Sequence, residues 1–246
     1  MRRFALIGWP LGHSFSGKYF SEKFLRDGIT DARYDLMPLG DIAGLPGLLS
    51  GYPDLCGLNV TIPYKKSVIP FLDELNDTAR ETGAVNCIRI RNGIMIGYNT
   101  DVTGFENSLS EFFAQSVPDT LDHEALVLGT GGAAAAVAYV LRKRGIPFRF
   151  VSRTPKNKDE IGYDSLNDLR PFLIVNTTPL GTWPDVDSMP PVPESVFRQG
   201  QMVYDLVYNP AETLLLRSAK FHGAKTANGL EMLHLQAEAA WEIWNH

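Results

Sequence analysis

The sequence predicts an α/β protein of two α/β domains, the first with a mostly parallel sheet. Strand-like and helix-like segments alternate along residues 1–100, as a parallel sheet with crossover helices requires. After the polar stretch "AQSVPDTLDHE" the alternation restarts at Ala125. The chain then closes on a segment, "NGLEMLHLQAEAAWEIW", whose apolar residues recur at helical spacing. The boundaries read from this pattern are residues 1–101, completed by 228–246, for the first domain and 102–227 for the second.

Taken in order, "RFALIG" is a short apolar strand, and "SGKYFSEKFLRDG" places Tyr19, Phe20, Lys23 and Phe24 on one helical face. Ser16 can cap that helix, and Gly28 lies near its end. "ARYDLMP" and "LCGLNVT" are strands flanking the helical "IAGLPGLLSG". "NCIRIRNGIMIGYN" puts two apolar-rich runs around Asn92-Gly93, the strongest short hairpin signal. "TDVTGFENSLSEFF" is a helix. In the second domain "ALVLG", "PFRFVS", "FLIVNTT" and "MVYDLVY" are strands, and "GGAAAAVAYVLRKRG" is a helix rich in good helix formers. Leu230, Leu233, Gln236, Ala237 and Trp241 share the face of the C-terminal helix.

With 44% hydrophobic and 21% charged residues, the chain has an ordinary globular composition. A formal net charge of -5 argues against a nucleic-acid partner, which needs a basic face. Cys56 and Cys87 stand far apart, without a CxxC pattern or a neighbouring His, so neither a disulfide framework nor a metal site is expected. The opening "MRRFALIGWPLGHSF" has arginines before an apolar run. Pro10, Gly12 and His13 break that run too early for a secretory leader, and no stretch reaches the roughly 18 apolar residues of a membrane span. A cytoplasmic protein with no membrane partner is expected.

"ALVLGTGGAAAAV" gives Gly129-x-Gly131-x-x-Ala134 between an apolar strand and a helix. In that context the glycines permit a sharp turn, and backbone N–H groups at the helix N-terminus can approach a pyrophosphate. Gly129, Gly131, Gly132 and Ala133 are therefore candidate cofactor contacts. A carboxylate about 20 residues further on would select a ribose hydroxyl, and a cation a 2′-phosphate. The following strand ends instead in Ser152, Arg153, Thr154 and Lys156, so the cofactor read here is NADP. The plain alternative is a tight turn and a solvated surface loop.

The stretch "GLNVTIPYKKSV" ends a strand with Asn59, Thr61 and two lysines. Pro63 can open a helix, on which Lys65 and Lys66 would point about 100° apart, so at most one faces a cleft. A lone lysine is usually a solvated charge.

The surrounding motifs change that weighing. "GWPLGHSFS", "GLNVTIPYK", "GAVNCI", "GYNTDVTGF", "GTGGAA", "SRT", "NTTPLG" and "NGLEMLHLQ" occur in the order found in shikimate dehydrogenases, and the chain resembles that family along its whole length. The resemblance implies a substrate domain followed by a Rossmann-like NADP-binding domain, with a C-terminal helix returning to the first, and an active site in the cleft. It implies NADP-dependent, reversible reduction of 3-dehydroshikimate to shikimate. It carries the catalytic pair onto Lys65 and Asp101, and substrate contacts onto Ser14, Ser16, Asn59, Thr61, Asn86 and Gln236. Thr178 and Gly229 join the cofactor contacts. A polyhydroxy carboxylate is suited to several short hydroxyl and amide partners. Each also has a plainer reading: Ser16 as a helix cap, Asn59 and Thr61 as turn formers, Asp101 as the cap of the helix after it.

"GGAAAAV" lacks the basic residue that many relatives carry, leaving the phosphate to Arg153 and Lys156. The family includes monomers and homodimers. The rival readings are a quinate/shikimate dehydrogenase using NAD and a non-catalytic dinucleotide or metabolite sensor. The absent acid after the second strand speaks against the first, and the presence of both Lys65 and Asp101 against the second.

Overall fold

The structure is a computed structural model that describes residues 1–11, 15–114 and 124–246. It divides into two compact units, Met1–Thr100 with Ala237–His246, and Asp101–Gln236.

In the first unit the chain runs β1 (Arg2–Gly8), α1 (Phe15–Arg26), β2 (Ala32–Pro38), α2 (Leu45–Gly51), β3 (Leu55–Val60), β4 (Glu74–Leu75), α3 (Asp77–Thr82), β5 (Cys87–Arg91) and β6 (Ile94–Tyr98). These strands form one sheet in the order β2-β1-β3-β5-β6-β4. β1 pairs in parallel with β2 and β3, while the β5–β6 hairpin adds antiparallel to β3. The hairpin turns at Asn92 and Gly93, which take φ of 53° and 78°, the positive pair that a type I′ turn needs. α3 forms because Asn76 accepts a cap bond from the Ala79 N–H at 2.9 Å, and it stops at Gly83, φ 59°.

Alternation along β1 splits the apolar residues between two faces. Ala5 and Ile7 pack with Leu45, Leu58, Val60, Val68 and Ile88. Phe4 faces the other way, among Phe20, Phe24, Cys87, Ala237, Ala240 and Trp244. The C-terminal helix closes this second face: Trp244 stacks on Phe4 at 4.7 Å between ring centres and donates to the Ile88 carbonyl at 3.0 Å. A Cβ on Gly57 would lie 2.3 Å from the Trp244 indole nitrogen, so only glycine lets the indole lie on β3.

The segment after β3 departs from the expectation. Residues 62–68 form consecutive turns followed by a 3₁₀ turn, Ile69–Phe71, and Pro63 opens no helix. One tertiary hydrogen bond takes a carbonyl that a helix would use, and another ties down a side chain of the segment. The Lys65 carbonyl accepts from Val85 N–H at 2.7 Å, and the Tyr64 hydroxyl donates to the Leu39 carbonyl at 2.6 Å. Likewise α1 begins at Phe15, so Ser16 lies inside its first turn instead of capping it from outside.

In the second unit, helix α4 (Thr100–Ala114, from Asp101 onward) precedes β7 (Ala125–Leu128), α5 (Gly132–Lys143), β8 (Phe148–Val151), β9 (Glu160–Ile161), β10 (Leu173–Asn176), β11 (Met202–Asp205), α6 (Leu214–Phe221), β12 (Lys225–Asn228) and the start of α7 (Leu230–Asn245). Every pairing in the order β12-β11-β10-β7-β8-β9 is parallel. β7, β10 and β11 are buried throughout, which is why they read as apolar runs, broken only by the polar residues that end β10 and β11, Asn176 and Asp205. Val127, Val175 and Tyr204 face one core with Phe105, Leu109 and Val137; Leu126, Ile174 and Val203 face the other with Leu215 and Leu216. β12 and α6 follow from weaker local signals, notably the Thr213 cap, whose hydroxyl accepts from Leu216 N–H at 3.3 Å. No helix among the described residues is long and apolar enough to cross a membrane.

Candidate active site

A row of polar side chains crosses the first unit along the edge where β3 ends, β5 begins and β6 ends. Asn59 sits one residue before the end of β3, paired with Leu6 on one side and Cys87 on the other. Its Oδ1 accepts from the Tyr34 hydroxyl at 2.8 Å, and Ser16 hydrogen-bonds the same hydroxyl. Burial pushes the Tyr34 phenol well above its ordinary range, so it stays a neutral donor. The Asn59 amide donates to the Asn86 carbonyl at 3.2 Å. The Asn86 side chain then grips Thr100, accepting from its N–H at 2.7 Å and donating to its hydroxyl at 3.0 Å. Asn59, Asn86 and Thr100 are each no more than 6% exposed, so their polar groups are fixed by partners and not by solvent.

Thr61 follows directly, its N–H bonded to the Ile7 carbonyl at 2.9 Å. Four residues on, the bond from Val85 fixes the Lys65 backbone beside the neighbour of Asn86 in sequence. In these turns Tyr64 and Val68 point into the core, Lys65 is half-buried and Lys66 is exposed. The two lysines thus differ in exposure, on turns and not on a helix.

In the second unit Val151, Leu128, Asn176, Asp205 and Asn228 form one register row, so the five connections that follow them leave from the same edge of the sheet. Ligands of open parallel sheets bind at this carboxyl edge. After β7, Gly129 takes φ 104°, and a Cβ there would meet the Thr177 hydroxyl at 2.9 Å and the Thr178 methyl at 3.1 Å. Gly131 caps α5 with no side-chain hydrogen bond, and a Cβ on it would meet nothing. The first N–H groups of α5 thus have an open approach, the fit a pyrophosphate needs. After β8 come Ser152, half-buried, and Arg153, Thr154 and Lys156, all exposed. After β12 comes Gly229, where a Cβ would lie 2.0 Å from the Leu206 carbonyl oxygen. A cavity of about 380 Å³ in this unit reaches this edge only at Asn228; it is lined also by Glu111, Glu212 and Glu231, whose carboxylates would repel a phosphate.

The substrate-binding domain model of shikimate dehydrogenases matches residues 6–88. A shikimate dehydrogenase (NADP(+)) of Carboxydothermus hydrogenoformans is 39% identical over 97% of this chain and 90% of its own length. The chain belongs to the shikimate dehydrogenase family. Among solved structures, the shikimate 5-dehydrogenase of Thermus thermophilus in complex with NADP(H) and shikimate superposes with a TM-score of 0.85 at 33% identity, covering 99% of this chain and 93% of that one. A quinate dehydrogenase of Corynebacterium glutamicum in complex with NAD gives 0.85 at 29% identity, over 99% and 93%.

The residues that the family motifs single out fall into three groups. Ser16, Asn59 and Asn86 are linked through Tyr34 and Thr100 within the first unit, with Thr61 and Lys65 on the following turns. The glycine loop, the 152–156 loop, Thr178 and Gly229 share the carboxyl edge of the second sheet. Asp101, in the first turn of α4, and Gln236, on α7, belong to the second unit, where Gly104 lets α4 approach α7: a Cβ there would lie 2.6 Å from the Met232 carbonyl. Gln236 is half-buried, its amide donating to the Leu233 carbonyl at 2.9 Å. Ser14 lies outside the described residues. Sequence reasoning passes over Tyr34 and Thr100, whose roles show only through their partners, and Asp205, whose signal is a lone carboxylate in the apolar run "MVYDLVY".

Proposed function

We propose that this chain catalyses the reversible, NADP-dependent reduction of 3-dehydroshikimate to shikimate. The observation that carries the reading is the near-full-length similarity to relatives named shikimate dehydrogenase (NADP(+)). The open N-terminus of α5 and the cation at Arg153 suit a dinucleotide with a 2′-phosphate, and no carboxylate stands in that loop up to Lys156 to select the plain ribose. NADPH, when bound, supplies the hydride.

The chain's own residues do the rest. Ser14, Ser16, Asn59, Thr61, Asn86 and Gln236 hold the hydroxyl and carboxylate groups of the substrate, a set of short polar partners matched to a small polyhydroxy acid. Lys65 Nζ gives a proton to the ketone oxygen as it becomes an alkoxide, and takes it back in the reverse direction. Asp101 orients that ammonium by hydrogen bonding. Half-burial at Lys65 and exposure at Lys66 support choosing the first. The enzyme is a soluble cytoplasmic one, acting as a monomer or a homodimer on a small molecule.

A single assay tests this reading: following reduction of NADP or NAD by its absorbance change with shikimate and with quinate. Turnover with shikimate and NADP exceeding the other three combinations is expected. Preference for quinate with NAD would overturn it in favour of a quinate dehydrogenase, and no turnover in any combination would favour a sensor.

A further inference from the structure

Asp205 ends β11 at the carboxyl edge, between β12 and β10, and its carboxylate is wholly buried. Three donors converge on it: the Asn176 amide at 2.8 Å, the Val207 N–H at 3.0 Å and the Thr213 hydroxyl at 2.6 Å. Each fixes a different segment. The bond to Asn176 sets which way that buried amide faces. Its Oδ1 is thereby turned to the Thr178 N–H at 3.0 Å and the Thr178 hydroxyl at 2.7 Å. The turn so held lies against the glycine loop, since a Cβ on Gly129 would touch both Thr177 and Thr178. The bond to Val207 fixes the turn after β11, whose Val207 carbonyl accepts from the Gly229 N–H at 3.1 Å. The bond to Thr213 leaves that hydroxyl's lone pairs to cap α6.

We propose that Asp205 is a positioning residue for the cofactor. One carboxylate sets the places of Thr178, the glycine loop and Gly229 through hydrogen bonds to the segments beneath them. The proposal rests on the NADP reading above. An amide reproduces this pattern only imperfectly, because all three partners donate to the carboxylate and only the Thr213 hydroxyl can turn to accept instead. Asn at this position offers one acceptor and one NH₂. Turned toward Asn176, the NH₂ meets another NH₂ and forces Asn176 to flip, pointing a donor at the Thr178 N–H. Turned toward Thr213, it removes the hydroxyl's acceptor. Fold maintenance alone does not account for the residue, since burial makes ionisation there costly: it outweighs the three hydrogen bonds and pushes the carboxyl up to about 6.

The test uses the full chain as Asp205→Asn and, separately, Asn176→Ala. Three quantities are measured: the NADP dissociation constant without substrate, the KM for shikimate at saturating NADP, and the melting temperature. The expected result is at least fivefold weaker NADP binding in both variants, a shikimate KM within twofold of the parent, and no fall in melting temperature for Asp205→Asn at pH 7. NADP binding within twofold of the parent in a folded variant overturns the proposal. So does an equal loss in both constants, which marks general loosening, or failure of both variants to fold, which assigns the carboxylate to the fold alone. A parent chain that binds no NADP refutes the cofactor reading instead, so the two failures are distinguishable.

Discussion

Replacing Asp205 by Asn should change how stability depends on pH, and the size follows from the burial of the carboxylate. Its ordinary value of 3.8 is pushed up to about 6, first by desolvation, against the opposing bonds from Thr213, Val207 and Asn176. The folded chain therefore holds this proton more tightly than the unfolded chain does. Between those two values the native state binds more protons, so stability falls as pH rises. The contribution is fully present below 3.8 and lost above about 6. Every tenfold gain in proton affinity on folding is worth about 1.4 kcal/mol, so roughly 2 kcal/mol disappears between pH 4.5 and pH 7. Asn carries no such proton. Whatever the altered hydrogen bonds contribute is the same at every pH, so the difference between variant and parent moves in favour of the variant by roughly 2 kcal/mol over that interval. Urea unfolding followed by far-UV circular dichroism at pH 4.5, 5.5, 6.5 and 7.5 measures this difference directly. Parallel curves for parent and variant across the range would show that the carboxyl titrates alike in both states, and the reasoning from burial would be refuted.

Four further outcomes are expected. Lys65→Ala should lower kcat by about 10²–10⁴ with NADP binding retained, the range lost with a general acid, while Lys66→Ala stays near the parent; a loss confined to Lys66→Ala would reverse the assignment. Arg153→Asp should raise the KM for NADP at least tenfold and leave the KM for NAD nearly unchanged, because a charge-assisted phosphate contact of about 1.5–3 kcal/mol becomes repulsion. Equal effects on both cofactors would exclude a 2′-phosphate contact. Trp244→Ala should cost about 3–5 kcal/mol in urea unfolding, since it empties the space over Gly57 and Phe4 and leaves the Ile88 carbonyl without its donor; a loss under about 1 kcal/mol would mean that the helix is not anchored there. Gly229→Ala should weaken NADP binding as well as stability, because a Cβ 2.0 Å from the Leu206 carbonyl must push the 205–207 turn aside; wild-type affinity in that variant would separate the turn from the site.

Much of this molecule is legible before its fold. Asn92-Gly93 announces a hairpin because positive φ at two successive residues is a local demand. The central strands of the second sheet read as apolar runs because parallel strands covered on both faces have no polar side. The glycine loop is recognisable because its requirements, a left-handed Gly129 and an uncapped helix start, fall within a few residues. The turns at 62–68 escape a local reading because Pro63 is a valid helix start signal, and what overrides it is the bond from Val85, twenty residues away from Lys65.

By itself, then, the sequence determined the central strands, the Asn92-Gly93 turn and the glycine loop after β7, and which short polar residues are available for a hydroxylated acid, since those depend on neighbours along the chain. Only the tertiary structure decided that Tyr34 joins Ser16 to Asn59, that Lys65 is sheltered where Lys66 is not, and that Asp205 ties Asn176, Val207 and Thr213 into one edge. Parallel register sets distant residues side by side in one row, and no periodicity along the chain records which ones.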